Sequence, residues 1–374
     1  MLFISAPVGA GHIQAARSIS TAMCRQQNDV ETKMANIFDF FNPYVGKVIL
    51  NVYLKILKLF PKLYGVMYGW GNESYFALLG RQVISHYLAK NMEKYITEYN
   101  PDAIVCTHAT PAGLVAYLMK RKKVRIPVIV VVTDFVVHRL WVYPEIQHYI
   151  VANESMRGFL TEHGVEENCT AVMGIPVDEK FSRLPNAERI RHSLQFCCQV
   201  KTILIMGGGA GILPMDDILL CCEKIDISLQ IIVVTGNNEN MYKKIMKLLP
   251  KLRNKVQVLG YVSYIDELMA VSDLIISKPG GMTCAETLCI GIPMLIYKPI
   301  PGQEEANTKY LIEQHVAIRA DCLQDIQSLI KRLFIEQPEE LTKLRQNILR
   351  IGQPMAAPTI ANYIFTQVGQ DKTC

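Results

Sequence analysis

Ser277-Lys278-Pro279-Gly280-Gly281-Met282-Thr283-Cys284-Ala285-Glu286-Thr287 holds most of what this sequence says about itself, together with Gly291-Ile292-Pro293 and Pro301-Gly302-Gln303-Glu304-Glu305-Ala306-Asn307 just after it. The apolar run Leu274-Ile275-Ile276 ahead of it reads as a short strand, the paired glycines as a turn, and the residues beyond as a helix that Gly291 and Pro293 end. Glycines let backbone N–H groups approach an anion, and the helix N-terminus adds partial positive charge, so a nucleotide diphosphate would bind there favourably, with Ser277, Lys278, Gly280, Gly281, Met282 and Thr283 around it. Glu286 lies less than a helical turn past Thr283, where its carboxylate can accept from both hydroxyls of a ribose. Gln303 and Glu304, on the loop after the next strand, offer polar partners to a sugar, and Asn307 closes the stretch. A plain strand-to-helix turn with a surface Glu is the competing reading.

Upstream, the same cycle recurs. Thr202–Met206 runs into Gly207-Gly208-Gly209-Ala210-Gly211, Gln230–Thr235 into Gly236-Asn237-Asn238, and Val256–Leu259 into Gly260-Tyr261-Val262. Strands each followed by turn and helix specify a parallel, doubly wound α/β sheet. Gly208 and Gly209 are either a second pyrophosphate contact or a tight turn. Tyr261 and Val262 suit a uracil pocket, as apolar cover for a base paired with backbone groups.

The N-terminal part predicts a second sheet. Leu2–Ser5 is a buried strand, and Ala6-Pro7-Val8-Gly9-Ala10-Gly11-His12 turns into a helix whose Ile13, Ala16, Ile19 and Met23 share one face. Ala103–Thr107 leads to His108, and Val128–Thr133 leads to Asp134, with Phe135, His138 and Trp141 after it; short strands at Tyr149–Ala152 and Thr170–Met173 complete the sheet. Ligands of open parallel sheets bind beyond the carboxyl ends of the strands, where His12, His108 and Asp134 would meet. His12 is either a catalytic group or a structural cap. Met173–Val177 is the expected hinge, giving domains 1–176 and 177–353, with a C-terminal helix over about 354–374 packing back on the first.

A chain of 374 residues is longer than one core comfortably serves, which agrees with two domains. The net charge of +5 is too mild for a nucleic-acid binder built on a dense basic face. The cysteines, 11 in number, fit no zinc spacing and read as reduced, mostly buried thiols of a cytosolic protein. No apolar run reaches the ~18 residues of a transmembrane helix. Between Val45 and Tyr68, large apolar residues alternate with Lys47, Lys55, Lys58 and Lys62 without an acidic residue. That pattern fits a helix lying in an anionic membrane surface, or a core helix with a solvated lysine edge.

The Ser277–Asn307 run resembles the donor-sugar signature of glycosyltransferases with the GT-B fold, two Rossmann-like domains facing across a cleft. Specifically it is similar to the group holding plant monogalactosyldiacylglycerol synthases and bacterial processive diacylglycerol glucosyltransferases. Gly9–Ala16 and Pro127–Trp141 share the likeness, which extends over nearly the whole chain. The resemblance implies a donor bound at Gly11, Gly208, Gly209, Tyr261, Val262 and the signature, with Glu286 on the ribose and Gln303 and Glu304 facing the hexose.

It also implies an inverting transfer of a hexose, glucose ahead of galactose, from a UDP-sugar to diacylglycerol, with no cofactor and no bound metal; no Asp-x-Asp is present. His12 is then the candidate base, helped by Asp134, while His108, His138 and Trp141 belong to the acceptor side. The plant galactosyl enzymes carry an acidic residue shortly before the glycine loop, where this chain has Ala6 and Pro7. The expected partners are a UDP-hexose, diacylglycerol and an anionic membrane surface, with no nucleic acid. The expected location is cytoplasmic, on the inner face of the cell membrane. A polyprenyl-linked acceptor, a UDP-sugar 2-epimerase and a non-catalytic UDP-sugar sensor are the alternatives.

Overall fold

The computed structural model describes residues 1–6, 10–40, 88–183, 185–209 and 211–371. They form two compact units. The first holds the described residues from Met1 to Glu179, Pro301–Gln303 and those from Gln353 onward; the second holds Lys180–Ile300 and Glu304–Gly352.

The first unit is built on a parallel sheet of strands β1 (Leu2–Ser5), β2 (Lys33–Asn36), β3 (Ile104–Cys106), β4 (Val128–Val131), β5 (His148–Val151) and β6 (Thr170–Val172). Their order is β2-β1-β3-β4-β5-β6. Helices α1 (Ala10–Gln26), α2 (Ala109–Lys120) and α3 (Glu154–Glu162) are its crossovers. The central strands β3 and β4 are apolar and buried at every position because both faces of the sheet are covered. Leu2, Ile4, Val128 and Val130 enter the core on one face, whereas Phe3, Ile129 and Val131 meet Ile19 and Met23 of α1 on the other.

β2 was not foreseen. Its Lys33 and Met34 are exposed and only Ala35 is buried, so an edge strand carried by backbone pairing left no apolar pattern to read. The Val45–Tyr68 stretch, with Lys47, Lys55, Lys58 and Lys62, lies outside the described residues. Just downstream, residues 88–99 are helical and bury Leu88, Met92 and Ile96 at four-residue spacing, as a core helix does.

The second unit repeats the plan. Helix α4 (Ala187–Ser193) precedes β7 (Lys201–Met206), and there follow α5 (Met215–Cys222), β8 (Leu229–Val234), α6 (Glu239–Leu248), β9 (Lys255–Leu259), α7 (Ile265–Ala270) and β10 (Leu274–Ser277). Then come α8 (Gly281–Ile290), β11 (Met294–Tyr297), α9 (Gln303–Glu313), β12 (Ala317–Ala320), α10 (Leu323–Lys331) and α11 (Pro338–Ile351). The strands run parallel in the order β12-β11-β10-β7-β8-β9. Helix α8 ends as its sequence requires: Gly291 takes the left-handed conformation at φ +85°, and its N–H bonds Thr287 O at 3.0 Å.

After α11 the chain returns to the first unit. Gly174, at φ +87°, has no room for a side chain, since a Cβ there would lie 2.6 Å from Gln353 Cβ. Helix α12 (Ala356–Asp371) then lays Ile360, Ala361, Ile364 and Val368 beside α1 on the first sheet. Each buried isoleucine contributes roughly 1.5–3 kcal/mol, which is ample to hold the helix there. The chain thus passes first from one unit to the other between Glu179 and Lys180 and returns for good at Gln353.

The cysteines among the described residues are free, but Cys24, Cys197, Cys198 and Cys322 are exposed, so burial is less general than expected. Burial raises the Cys106 and Cys222 thiols far above their ordinary pKa, which makes both inert.

Candidate active site

In the first unit, three neighbouring strand ends supply the chemistry. β1, β3 and β4 lie side by side, so the residues that follow them share one edge of the sheet. His12 sits in the first turn of α1. Its Nδ1 is 2.6 Å from Thr133 Oγ1, while Thr107 Oγ1 donates to its backbone oxygen at 2.9 Å. Thr107 and Thr133 are both buried, so the histidine is held at two points by residues with little freedom. Burial lowers the His12 pKa; the Asp134 carboxylate, itself buried, opposes that shift.

The His108 ring stands edge-on to His12, with centroids 4.7 Å apart, and Trp141 is the next ring, at 6.4 Å from His108. His108 caps α2: its Nδ1 accepts from Thr110 N at 3.1 Å, which leaves the proton of the neutral ring on Nε2. Burial, reinforced by His12, holds its pKa well below the ordinary value. His138 does the same for the short turn Arg139–Trp141, accepting from Leu140 N at 3.1 Å. Of the acceptor-side residues read from the sequence, the structure thus places His108 beside His12 and Trp141 beside His108, and gives His108 and His138 capping duties as well. Thr107 and Thr133 were missed. The only signal was their place, each a hydroxyl just past an apolar strand, and many such hydroxyls merely close a turn.

In the second unit the cradle is made of backbone. β7 and β10 are paired, so the glycine turn after one lies beside the glycine turn after the other. Gly280 is the N-cap of α8 without a side-chain cap, at φ −65°, and Gly281 is the first helical residue. A Cβ built on Gly208, Gly209 or Gly280 would meet nothing within 4 Å, so open space borders the backbone at all three. Gly211 serves a different purpose. At φ +61°, its Cβ would lie 2.2 Å from Thr235 O, and its carbonyl accepts from Asn238 Nδ2, so it knits the turn to the next one.

Glu286 and Thr283 are partly exposed on α8, three residues apart on one face. Ser277 is buried, and its Oγ has no hydrogen-bond partner among the described residues. Lys278 places Nζ 3.9 Å from Glu304 Oε2; burial lowers its pKa and Glu304 opposes the shift. Glu304 also accepts from Ile300 N at 2.6 Å, which fixes the loop before α9. Gln303 opens α9 but counts with the first unit, where its Nε2 donates to Asp134 Oδ2; Tyr261 and Val262 follow β9, with Tyr261 strongly exposed.

Three further residues of the signature have partners or packing within the fold. Asn307 is fully buried and donates Nδ2 to Pro279 O at 3.1 Å, so it holds the signature turn in shape from behind; burial could not be read from its position in the sequence. Met282 is likewise packed into the unit. Glu305 faces away, its two oxygens on the Arg319 guanidinium at 2.6 and 3.2 Å. Among the described residues no three His, Cys, Asp or Glu side chains group closely enough to hold a metal ion.

Comparison with known proteins follows this division. Residues 12–177 match the profile of Monogalactosyldiacylglycerol (MGDG) synthase, and residues 202–359 match the Glycosyltransferase family 28 C-terminal domain. The processive diacylglycerol beta-glucosyltransferase of Bacillus pumilus is 30% identical over 370 residues, 98% of this chain and 94% of that protein. Among solved structures, MurG of Acinetobacter baumannii superposes with a TM-score of 0.62 at 15% identity, over 98% of this chain and 99% of MurG. The UDP-GlcNAc 2-epimerase of Neisseria meningitidis, solved with UDP-GlcNAc, superposes with a TM-score of 0.59 at 18% identity, over 98% of this chain and all (100%) of that one. These two likenesses establish the GT-B fold, which transferases and epimerases share. The sequence relationship goes further: the chain belongs to the glycosyltransferase family of the monogalactosyldiacylglycerol synthases and processive diacylglycerol glucosyltransferases.

Proposed function

We propose that this chain transfers glucose from UDP-glucose to the hydroxyl of diacylglycerol, with inversion at the anomeric carbon, to make a membrane glycolipid. The observation that carries the reading is the 30% identity over 98% of the chain to an enzyme named for that acceptor and that sugar. It spans the imidazole cluster and the glycine cradle alike. The epimerase reading loses ground because Glu305, one of the carboxylates it would need at the sugar, is engaged by Arg319.

In the proposed reaction, neutral His12 takes the acceptor proton, the freed oxygen attacks the anomeric carbon, and the bond to the diphosphate breaks. A buried imidazole with a lowered pKa is unprotonated at neutral pH, as a base must be. Asp134 stabilises the imidazolium that forms. The leaving diphosphate is met by the Gly280-Gly281 turn, the N-terminus of α8 and Lys278, in a setting where Ser277 Oγ still lacks a partner. Glu286 holds the ribose, Gln303 and Glu304 the hexose, and Tyr261 and Val262 the uracil. We assign no metal to the reaction.

Because the acceptor stays in the bilayer, the protein must come to it, and no described helix is long and apolar enough to cross a membrane. The reading therefore places the chain on the inner face of the cell membrane, docked by Val45–Tyr68 through Lys47, Lys55, Lys58 and Lys62. The test is to offer the purified protein labelled UDP-glucose and UDP-galactose over diacylglycerol micelles, with a chelator present. Glucosyl lipid is expected; no lipid product from either donor, or release of an epimerised UDP-sugar, overturns the reading, and dependence on added metal overturns its metal-free part.

A further inference from the structure

We propose that Thr133 is the positioning residue of the base: its hydroxyl oxygen accepts the Nδ1 proton of His12 and so keeps the ring in the tautomer whose Nε2 is unprotonated. The proposal rests on the assignment of His12 as base. A neutral imidazole carries one proton, and only the nitrogen without it can receive another. The 2.6 Å contact places Thr133 Oγ1 on Nδ1, where the hydroxyl can accept the ring proton, and no other described side chain hydrogen-bonds the ring; the Thr107 backbone also bonds the ring and favours its charged form. If the hydroxyl donated instead, the proton would sit on Nε2 and His12 could not take one from the acceptor.

The rest of the cluster makes the contact a built one. Thr133 is 3% exposed, two residues past β4 in the middle of the sheet, and Thr107 fixes the backbone of the same histidine from β3. A base oriented by a third group is the general plan of such sites. The choice of a hydroxyl has a consequence. A carboxylate touching Nδ1 would favour the charged ring and raise its pKa, whereas a threonine directs the proton without adding charge. Asp134, the next residue, supplies the charge without occupying Nδ1. During transfer the acceptor O–H proton passes to Nε2 as the new C–O bond forms and UDP departs with the electrons of the broken one; Nδ1–H stays on Thr133 throughout.

Three variants and one spectrum test this. Thr133→Val removes the acceptor at nearly constant volume and is expected to lower kcat ~10-fold or more, with KM for UDP-glucose unchanged. Thr133→Ser restores kcat to within about threefold of wild type. Thr133→Asp moves the acid limb of the kcat profile upward by about 1–3 pH units, a shift that a purely structural role would not produce. Nitrogen NMR of the full chain with labelled histidine, without substrate, is expected to show His12 with the proton on Nδ1 in the wild type and on Nε2 in Thr133→Val. Wild-type kcat in the folded valine variant, or an Nε2-protonated His12 in the wild type, overturns the proposal. Should the valine variant fail to fold, the wild-type spectrum and the serine and aspartate variants decide it. A wild-type protein that glycosylates nothing sinks the enzymatic reading, and the spectrum still judges the hydrogen bond.

Discussion

The strand orders of the two sheets reverse at different places, and each reversal is where its candidate site lies. In the first unit the order β2-β1-β3-β4-β5-β6 turns back between β1 and β3; in the second, β9-β8-β7-β10-β11-β12 turns back between β7 and β10. A crevice opens at such a point because the connections on its two sides leave towards opposite faces. The crevices are furnished differently. The first is filled with side chains that hold one another, two imidazoles, two threonines and an aspartate; the second offers glycine backbone bordered by open space. Proton transfer needs groups fixed to a fraction of an ångström, while a diphosphate needs N–H groups and room. On the proposed function, one topology serves reaction and binding by what is placed at its reversal.

The largest expected effect tests the chemical half. His12→Ala should cut turnover by roughly 100-fold or more, with UDP affinity by calorimetry unchanged. The contrast between the two crevices fails if UDP binding collapses with it. Next in size, Glu286→Ala should weaken UDP binding by ~1–3 kcal/mol, because the ribose hydroxyls would lose their acceptor; unchanged affinity would remove Glu286 from the donor site.

The glycines sharpen the picture further. Gly211→Ala should destabilise the protein by about 1–3 kcal/mol, since φ +61° and the Thr235 carbonyl both oppose a side chain. Gly280→Ala, at φ −65° with nothing within 4 Å, should leave the melting temperature alone while its methyl group weakens UDP binding. Equal losses of stability would erase the distinction between a glycine kept for the fold and one kept for the ligand.

The smallest effect is on stability with pH. Burial lowers both His12 and His108 below the ordinary histidine pKa of about 6.5, so the unfolded chain binds protons there before the folded one does. Stability from these groups is complete above that value and falls as pH drops through it towards their folded values. Thermal melts from pH 7 to 5 should show a falling Tm, less steep in His108→Asn, which can still cap α2. A melt curve flat in pH would mean that neither ring is held neutral.

Much of this was legible in the residues. Glycine turns after apolar runs declared two parallel sheets because backbone geometry at a turn depends on the local residues, and Gly291 ended its helix where expected. Glu286 could be placed on α8 because three residues along a helix is a fixed distance. The edge strand β2, by contrast, is made by pairing with β1, and its own side chains say little. The same holds for the partners of His12. That Thr133, and not Asp134, touches Nδ1 of His12 across 121 positions is a matter of which strands are neighbours and how far each extends, and no local pattern records it. Asn307 behind the turn and Glu305 on Arg319 were sorted by burial and by reach, which packing alone supplies. Local sequence determined the strands, the turns and the kinds of chemistry at their ends; the three-dimensional arrangement decided which of those groups touch, because contact depends on residues far apart in the chain.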